Sequence, residues 1–241
     1  MGVSIVAILL SAVTTKLLAD MLIQMAAEDG AVIEESALSL GGNGLGMIKS
    51  AFGNGMMSIV TAILVTLLVV EDYTGDIIKN IYAKGYSRDK VFFAKYISTL
   101  VAVLISLFVN MLVSFLLGIA MFDGVGSMGQ NYIASVLAIM FIVIAFHAMY
   151  FMIGMLIKKT GGAIALNILA PSIISLLFTL ADTFIKKENF SFSDYWLTGL
   201  LTSCSATDVG SKPIILSFVI SIVLTLALGS ITFIVNKKRD N

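Results

Sequence analysis

Six continuous apolar stretches, at residues 3–25, 52–70, 92–121, 133–157, 163–185 and 214–235, are separated by polar connections. Each is close to or above the roughly 20 residues that a helix needs to cross a hydrocarbon layer about 30 Å thick. The runs lack the short alternating pattern of a membrane barrel, and only helices satisfy all their backbone polar groups within one segment. The pattern predicts an all-α polytopic membrane protein with six transmembrane helices. The most polar twenty residues, EDYTGDIIKNIYAKGYSRDK at 71–90, separate the second run from the third. Within them, Asp76 to Lys84 contains no helix breaker, and Gly85 supplies the residue that commonly ends a helix in the left-handed conformation. A short helix is predicted there. Ile77 and Ile81, and Ile78 and Tyr82, are four apart and form one apolar stripe, while Lys79 and Asn80 face elsewhere. Ser87 is placed to cap the next helix, with Asp89 near its N-terminus, and that helix runs into the third span. Such a stripe fits either a helix lying among lipid headgroups or a docking surface for a cytoplasmic partner.

Composition strengthens the membrane reading. Of 241 residues, 59% are hydrophobic and 12% charged, against about 25% charged in soluble domains. A soluble fold of this length would still expose about a quarter of its unfolded-chain surface, so lipid must cover the apolar excess. Fifteen basic and fifteen acidic residues cancel, which gives no sign of a nucleic-acid partner. Their distribution is uneven. Lys79, Lys84, Arg88, Lys90, Lys95, Lys158, Lys159, Lys237, Lys238 and Arg239 fall on one side, and Lys49, Lys186, Lys187 and Lys212 on the other. The positive-inside rule makes the first side cytoplasmic. Both termini are then cytoplasmic, the span count is even, and the cell membrane is the expected location. The first run has no Lys or Arg before it and stays apolar to about Met25, so it reads as a span, not a cleaved signal.

On the external side lie Glu28, Asp29, Glu34, Glu35 and the glycine-rich GGNGLG at 41–46, read as a flexible loop. The longest external segment, 186–212, contains FSFSDYWLTGLL, in which Ser193 or Asp194 is a potential N-cap and Tyr195 and Trp196 suit the membrane interface. A short helix lying at, or dipping into, the outer surface is predicted. Lys16 and Asp20, four apart in the first run, are placed either to pair along a pathway or to sit near an interface. His147, the only histidine, is expected to make a helix-packing hydrogen bond in preference to relaying protons. Pro171 is expected to kink the fifth span, and Asp182 to lie near its outer end. Cys204, the only cysteine, excludes an intramolecular disulfide and a multi-thiolate zinc site. The chain has neither H-E-x-x-H nor G-x-x-x-x-G-K-[ST], so it is expected to be no enzyme and to hold no metal, cofactor or ATP of its own.

Glu71, Gly75, Ile77, Lys79, Gly85, Ser87 and Arg88, with Ile78 and Lys95-Tyr96, resemble the cytoplasmic segment after the second span in permease subunits of ABC-2-type exporters. The similarity is greatest to small bacterial permeases of bacitracin resistance and lantibiotic immunity, with a form such as E-x-x-x-G-x-I-K-x-x-x-x-x-G-x-S-R. The resemblance implies that residues 1–241 are one ABC-2-type transmembrane domain, with a coupling segment at 71–92 and an external segment at 186–212. It implies a permease that works with a second copy or a paralogous permease and with a cytoplasmic ABC ATP-binding subunit, which alone binds ATP. Gly75, Ile77, Ile78, Lys79, Ile81, Tyr82, Gly85, Ser87 and Arg88 would then form the docking element. The cargo would be an antimicrobial or amphipathic peptide, or another hydrophobic compound. One departure is that family members commonly open with a Lys/Arg-rich amphipathic helix, whereas the apolar run here begins at residue 3. The competing reading is a nucleotide-independent secondary transporter, channel or sensor subunit using Lys16, Asp20, His147 or Asp182.

Overall fold

The computed structural model describes residues 43–53, 55–74, 77–122, 124–157, 159–185, 191–206 and 208–238. The described residues are all-α. In chain order they form α1 (Gly44–Gly53), α2 (Met56–Thr74), α3 (Ile77–Ala83), α4 (Arg88–Met121), α5 (Tyr132–Ile157) and α6 (Thr160–Ile185), then a 3-10 turn (Ser193–Tyr195), α7 (Leu197–Ser205) and α8 (Ser211–Lys238). The first predicted span, with Lys16 and Asp20, lies outside the described residues. So do Glu28, Asp29, Glu34, Glu35, Gly75, Lys158, Lys186, Lys187 and Arg239.

Four helices, α4, α5, α6 and α8, are long and apolar enough to cross a membrane, and α1 with α2 makes a fifth if that bent pair is one span. This is consistent with a multi-pass membrane protein. α5 is the central post: 67% of its apolar window is buried, against 28% for α4 and 17% for α6 and α8. It is apolar on every face, as a helix surrounded by others must be. α6 and α8 instead turn broad apolar faces outward, and α6 continues through Pro171 to Ile185.

Ring contacts fix the ends of the bundle. Phe92, near the start of α4, lies 5.7 Å from Phe151 near the end of α5 and 5.5 Å from Phe233 near the end of α8. Lys84, Arg88, Lys90, Lys159, Lys237 and Lys238 therefore gather at this end. At the other end the Tyr132 hydroxyl donates to the Leu45 carbonyl (2.9 Å) and Asn131 Nδ2 to the Val209 carbonyl (3.1 Å).

That second end departs from expectation. The second predicted span, 52–70, falls mostly in α2, which is preceded by an unexpected helix, α1, bent from it by 61° beside Gly55, which has φ +70°. Phe52, expected to open the span, closes α1 instead. The described part of GGNGLG is not a flexible loop. Asn43 Oδ1 accepts the Gly46 amide (2.7 Å), and Gly44 opens a helix pressed against α4 at Gly118. Absent side chains allow this approach, and small residues serve the same purpose where membrane helices touch. The described part of the external segment does contain a short helix, and it is turned inward. Asp182 accepts hydrogen bonds from Ser191 Oγ (2.8 Å) and from the amides of Phe192 and Ser193, which turns the chain back along α6. Trp196, not Ser193 or Asp194, is the N-cap of α7, and its Nε1 reaches down to the Pro171 carbonyl (3.3 Å). α7 then buries Leu197, Leu200, Leu201 and Cys204 in the bundle. The apolar residues recur at three- and four-residue spacing, and burying them outweighs any preference of Trp196 for the interface.

Lys49 is likewise no loop cation. It lies on α1, 4% exposed, and donates to the Ala206 carbonyl just after α7 (3.0 Å) while standing 5.0 Å from the Tyr132 ring centre. An ammonium near a helix C-terminus satisfies a carbonyl that has no intrahelical partner. Lys49→Met is expected to cost roughly 1.5–3 kcal/mol, the range for a hydrogen bond to a charged group, read as a lowered unfolding midpoint in detergent. Lys49→Arg should recover part of it.

Candidate functional site

The polar insert forms its own small element at the basic end. α3 has seven residues, Ile77–Ala83, close to the predicted 76–84. It ends where predicted: Gly85 has φ +84°, its amide bonds to the Tyr82 carbonyl (2.9 Å), and no atom lies within 4 Å of where a Cβ would be. Conformation, not crowding, requires glycine here. Ser87 occupies the N-cap position of α4 with extended backbone, but its hydroxyl makes no capping bond, so the cap is held by its carbonyl, which accepts the Val91 amide (3.2 Å). Asp89 stands in the first turn as predicted.

Of the docking residues, Ile77 is 44% exposed, Ile81 and Tyr82 are half-buried, and Gly85, Ser87 and Arg88 are exposed. The Arg88 guanidinium lies 5.8 Å from the Tyr82 ring centre, joining the end of α3 to the start of α4. Ile78 and Lys79 are in the helix, but their side chains lie outside the described residues, as does Gly75. α3 thus presents Ile77 outward while Tyr82 folds under Arg88.

The base of this element rests on a pair that sequence spacing does not bring together. Lys95 Nζ of α4 bonds to Asp72 Oδ2 of α2, 23 residues away, with the two side chains 7% and 37% exposed. Lys95 lies two turns inside α4. Two charged residues at the edges of separate apolar runs were the available signal, because each would be costly unpaired at that depth.

One turn further in, Thr99 Oγ1 lies 2.9 Å from His147 Nε2 and 3.0 Å from the Lys95 carbonyl. The hydroxyl has a single proton, so donation to the carbonyl leaves it as acceptor for an Nε2–H tautomer. His147 is fully buried with Tyr96 5.0 Å away, ring to ring. It makes the expected helix-packing hydrogen bond. A second polar knot ties α2, α5 and α6: Asn167 Nδ2 donates to Thr66 Oγ1 (2.6 Å) and to the Tyr150 carbonyl (3.2 Å), and the Tyr150 hydroxyl bonds Ser58. Asp182 spends its carboxylate on the turn before α7.

α3 is thus a seven-residue helix between two long helices, α2 and α4, that are bonded to each other through Asp72 and Lys95.

Over residues 5–241 the chain matches the family model described as "Protein of unknown function (DUF2705)", and it belongs to that family. No curated protein and no solved structure matches it.

Proposed function

We propose, for this member of the DUF2705 family, the role of membrane-embedded permease subunit in an ATP-driven exporter. It would have six spans, both termini in the cytoplasm, and a location in the cell membrane. The observation that carries the reading is α3: a short helix with an exposed isoleucine, held between two long apolar helices whose ends are joined by Asp72 and Lys95. The gathering of Lys84, Arg88, Lys90, Lys159, Lys237 and Lys238 at the same end, against Lys49 and Lys212 at the other, supports placing it in the cytoplasm. A separate ATP-binding subunit would seat on Ile77, Ile78, Ile81 and Tyr82, with Gly75, Lys79, Gly85, Ser87 and Arg88 framing the element. Its ATP-driven motion would push on α2 and α4 together. A second permease copy or a paralogue would complete the pathway, and the cargo would be an amphipathic peptide or another hydrophobic compound.

The nucleotide-independent alternative has less support. His147 has no exposed surface and Asp182 is committed to backbone amides, whereas a proton or ion pathway needs accessible ionisable groups.

Coexpression with an ABC ATP-binding subunit of the same organism tests the proposal. The two proteins should copurify, and Ile77→Asp/Tyr82→Asp should reduce the recovered complex by about tenfold or more, as loss of a central anchor does, with membrane insertion unchanged. Complex formation at wild-type levels by that variant, or proton-coupled flux by the purified chain without nucleotide, would refute it.

A further inference from the structure

We propose that the cleft between the start of α4 and the end of α8 binds one anionic phospholipid, with an acyl chain in the cleft and the phosphate on the lysines at its mouth. The cleft has a volume of about 430 Å³, with Phe93 and Tyr96 on one wall and Leu226, Gly229 and Phe233 on the other. The Phe92 and Phe93 rings each lie 5.5 Å from Phe233 and join the two helices there. Phe93 is 52% and Leu226 66% exposed, so the apolar space opens sideways from the bundle, where lipid chains would be.

Gly229 is the second observation. Glycine weakens a helix interior, and glycines inside the other described spans admit a neighbour: a Cβ on Gly118 would lie 2.7 Å from Gly44 Cα, and one on Gly154 3.2 Å from Val69, whereas Gly161, which meets nothing, stands in the first turn of α6. A Cβ on Gly229 would meet nothing within 4 Å. The missing side chain widens the cleft instead of admitting another helix.

The mouth is basic. Lys237 follows Phe233 by four residues on α8, Lys238 follows Ile234 by four, and Lys90 precedes Phe93 by three on α4. Residues so spaced share a helix face. All three lysines are exposed. Asp89 adjoins Lys90 on α4, and Glu71 and Asp72 of α2 face Lys95, which holds Asp72; Lys90, Lys237 and Lys238 outnumber Asp89 at the mouth. Basic clusters beside a membrane helix attract anionic headgroups, and apolar space directly below them selects a molecule that joins a negative head to a hydrocarbon tail. A second copy of the chain docking by this same face would set lysines against lysines. The inference does not depend on the exporter reading, since it requires no ATPase and no transport.

Native mass spectrometry of the full chain, released from mixed micelles containing phosphatidylglycerol or phosphatidylcholine, provides the test. The wild type should retain one phosphatidylglycerol with about a tenfold preference over phosphatidylcholine, as expected of a few lysines at a headgroup. Gly229→Leu, which fills the cleft, should lose the bound lipid while unfolding at or above the wild-type temperature. Lys90→Ser/Lys237→Ser/Lys238→Ser should lose the preference; if Gly229→Leu does not fold, this variant decides. Equal retention of the two lipids by the wild type, or wild-type binding by either variant, overturns the proposal. So does a Gly229→Leu variant that loses a dimer instead of a lipid, or a photocrosslinker at Leu226 that captures residues 3–25 instead of lipid.

Discussion

Gly118→Leu is expected to leave little correctly folded protein. A Cβ at Gly118 would stand 2.7 Å from Gly44 Cα, 2.9 Å from the Asn43 carbonyl oxygen and 2.9 Å from Met47 Cβ. Two of these three neighbours are backbone atoms, which cannot rotate away as a side chain does. Overpacking a core ordinarily costs about 1–3 kcal/mol, and a clash with backbone should exceed about 3 kcal/mol because α1 must leave α4 to relieve it. Leucine is the better helix former by several tenths of a kcal/mol, so intrinsic propensity acts in the opposite direction and the loss can be assigned to the crossing. The measurement is the monodisperse fraction after detergent extraction, together with its unfolding midpoint. Gly118→Ala should fall between leucine and wild type. Gly229→Leu on α8, where the space is open, provides the matched control. If Gly118→Leu extracts and unfolds like the wild type, α1 does not pack on α4 as described.

Asp72→Ala is the second large effect. Removing one member of a buried ion pair typically costs about 3–5 kcal/mol because the other charge is left in a poor solvent. Asp72 is 37% exposed, so screening by water lowers the expected loss to roughly 2–3 kcal/mol. The double variant Asp72→Asn/Lys95→Met should recover more than half of it, since two neutral groups need no partner. A double-mutant cycle by thermal unfolding in detergent should return a coupling of at least about 1 kcal/mol, as contacting residues do. Additive single effects would mean that the pair does not join α2 to α4. Under the proposed function, Asp72→Ala should also uncouple ATP hydrolysis from export before it abolishes ATPase binding, because α3 would keep its apolar face while losing its root.

What could be read from the sequence follows from the range of the forces involved. Long apolar runs announce helices because hydrophobicity and backbone satisfaction act along one segment, and the third to sixth runs reappear as α4, α5, α6 and α8 with shifted ends. Gly85 was legible as a terminator because the left-handed conformation is a property of one residue. Contacts between segments were not. Nothing in residues 41–46 says that Gly44 will face another glycine at position 118, and a glycine-rich stretch reads equally as a loop or as a close crossing. Trp196 suggested the interface, but its fate was decided by Leu197, Leu200, Leu201 and Cys204, whose shared face needed a core that only the assembled bundle provides. The Asp72–Lys95 bond spans 23 residues, beyond the reach of spacing rules for neighbouring turns. Nor could hydropathy separate the central α5 from the peripheral α6 and α8, since lipid and protein interior attract the same side chains.

The two rims of the bundle are built differently. At the rim that carries α3, full-length helices are bolted together by interlocked rings and an ion pair. At the opposite rim the wall is pieced from α1 and α7, short segments held by hydrogen bonds from Lys49, Tyr132 and Asn131 to backbone carbonyls. Under the proposed function, a displacement of α3 would travel along full-length helices at its own rim and arrive, at the other, in a wall of short segments free to shift one by one.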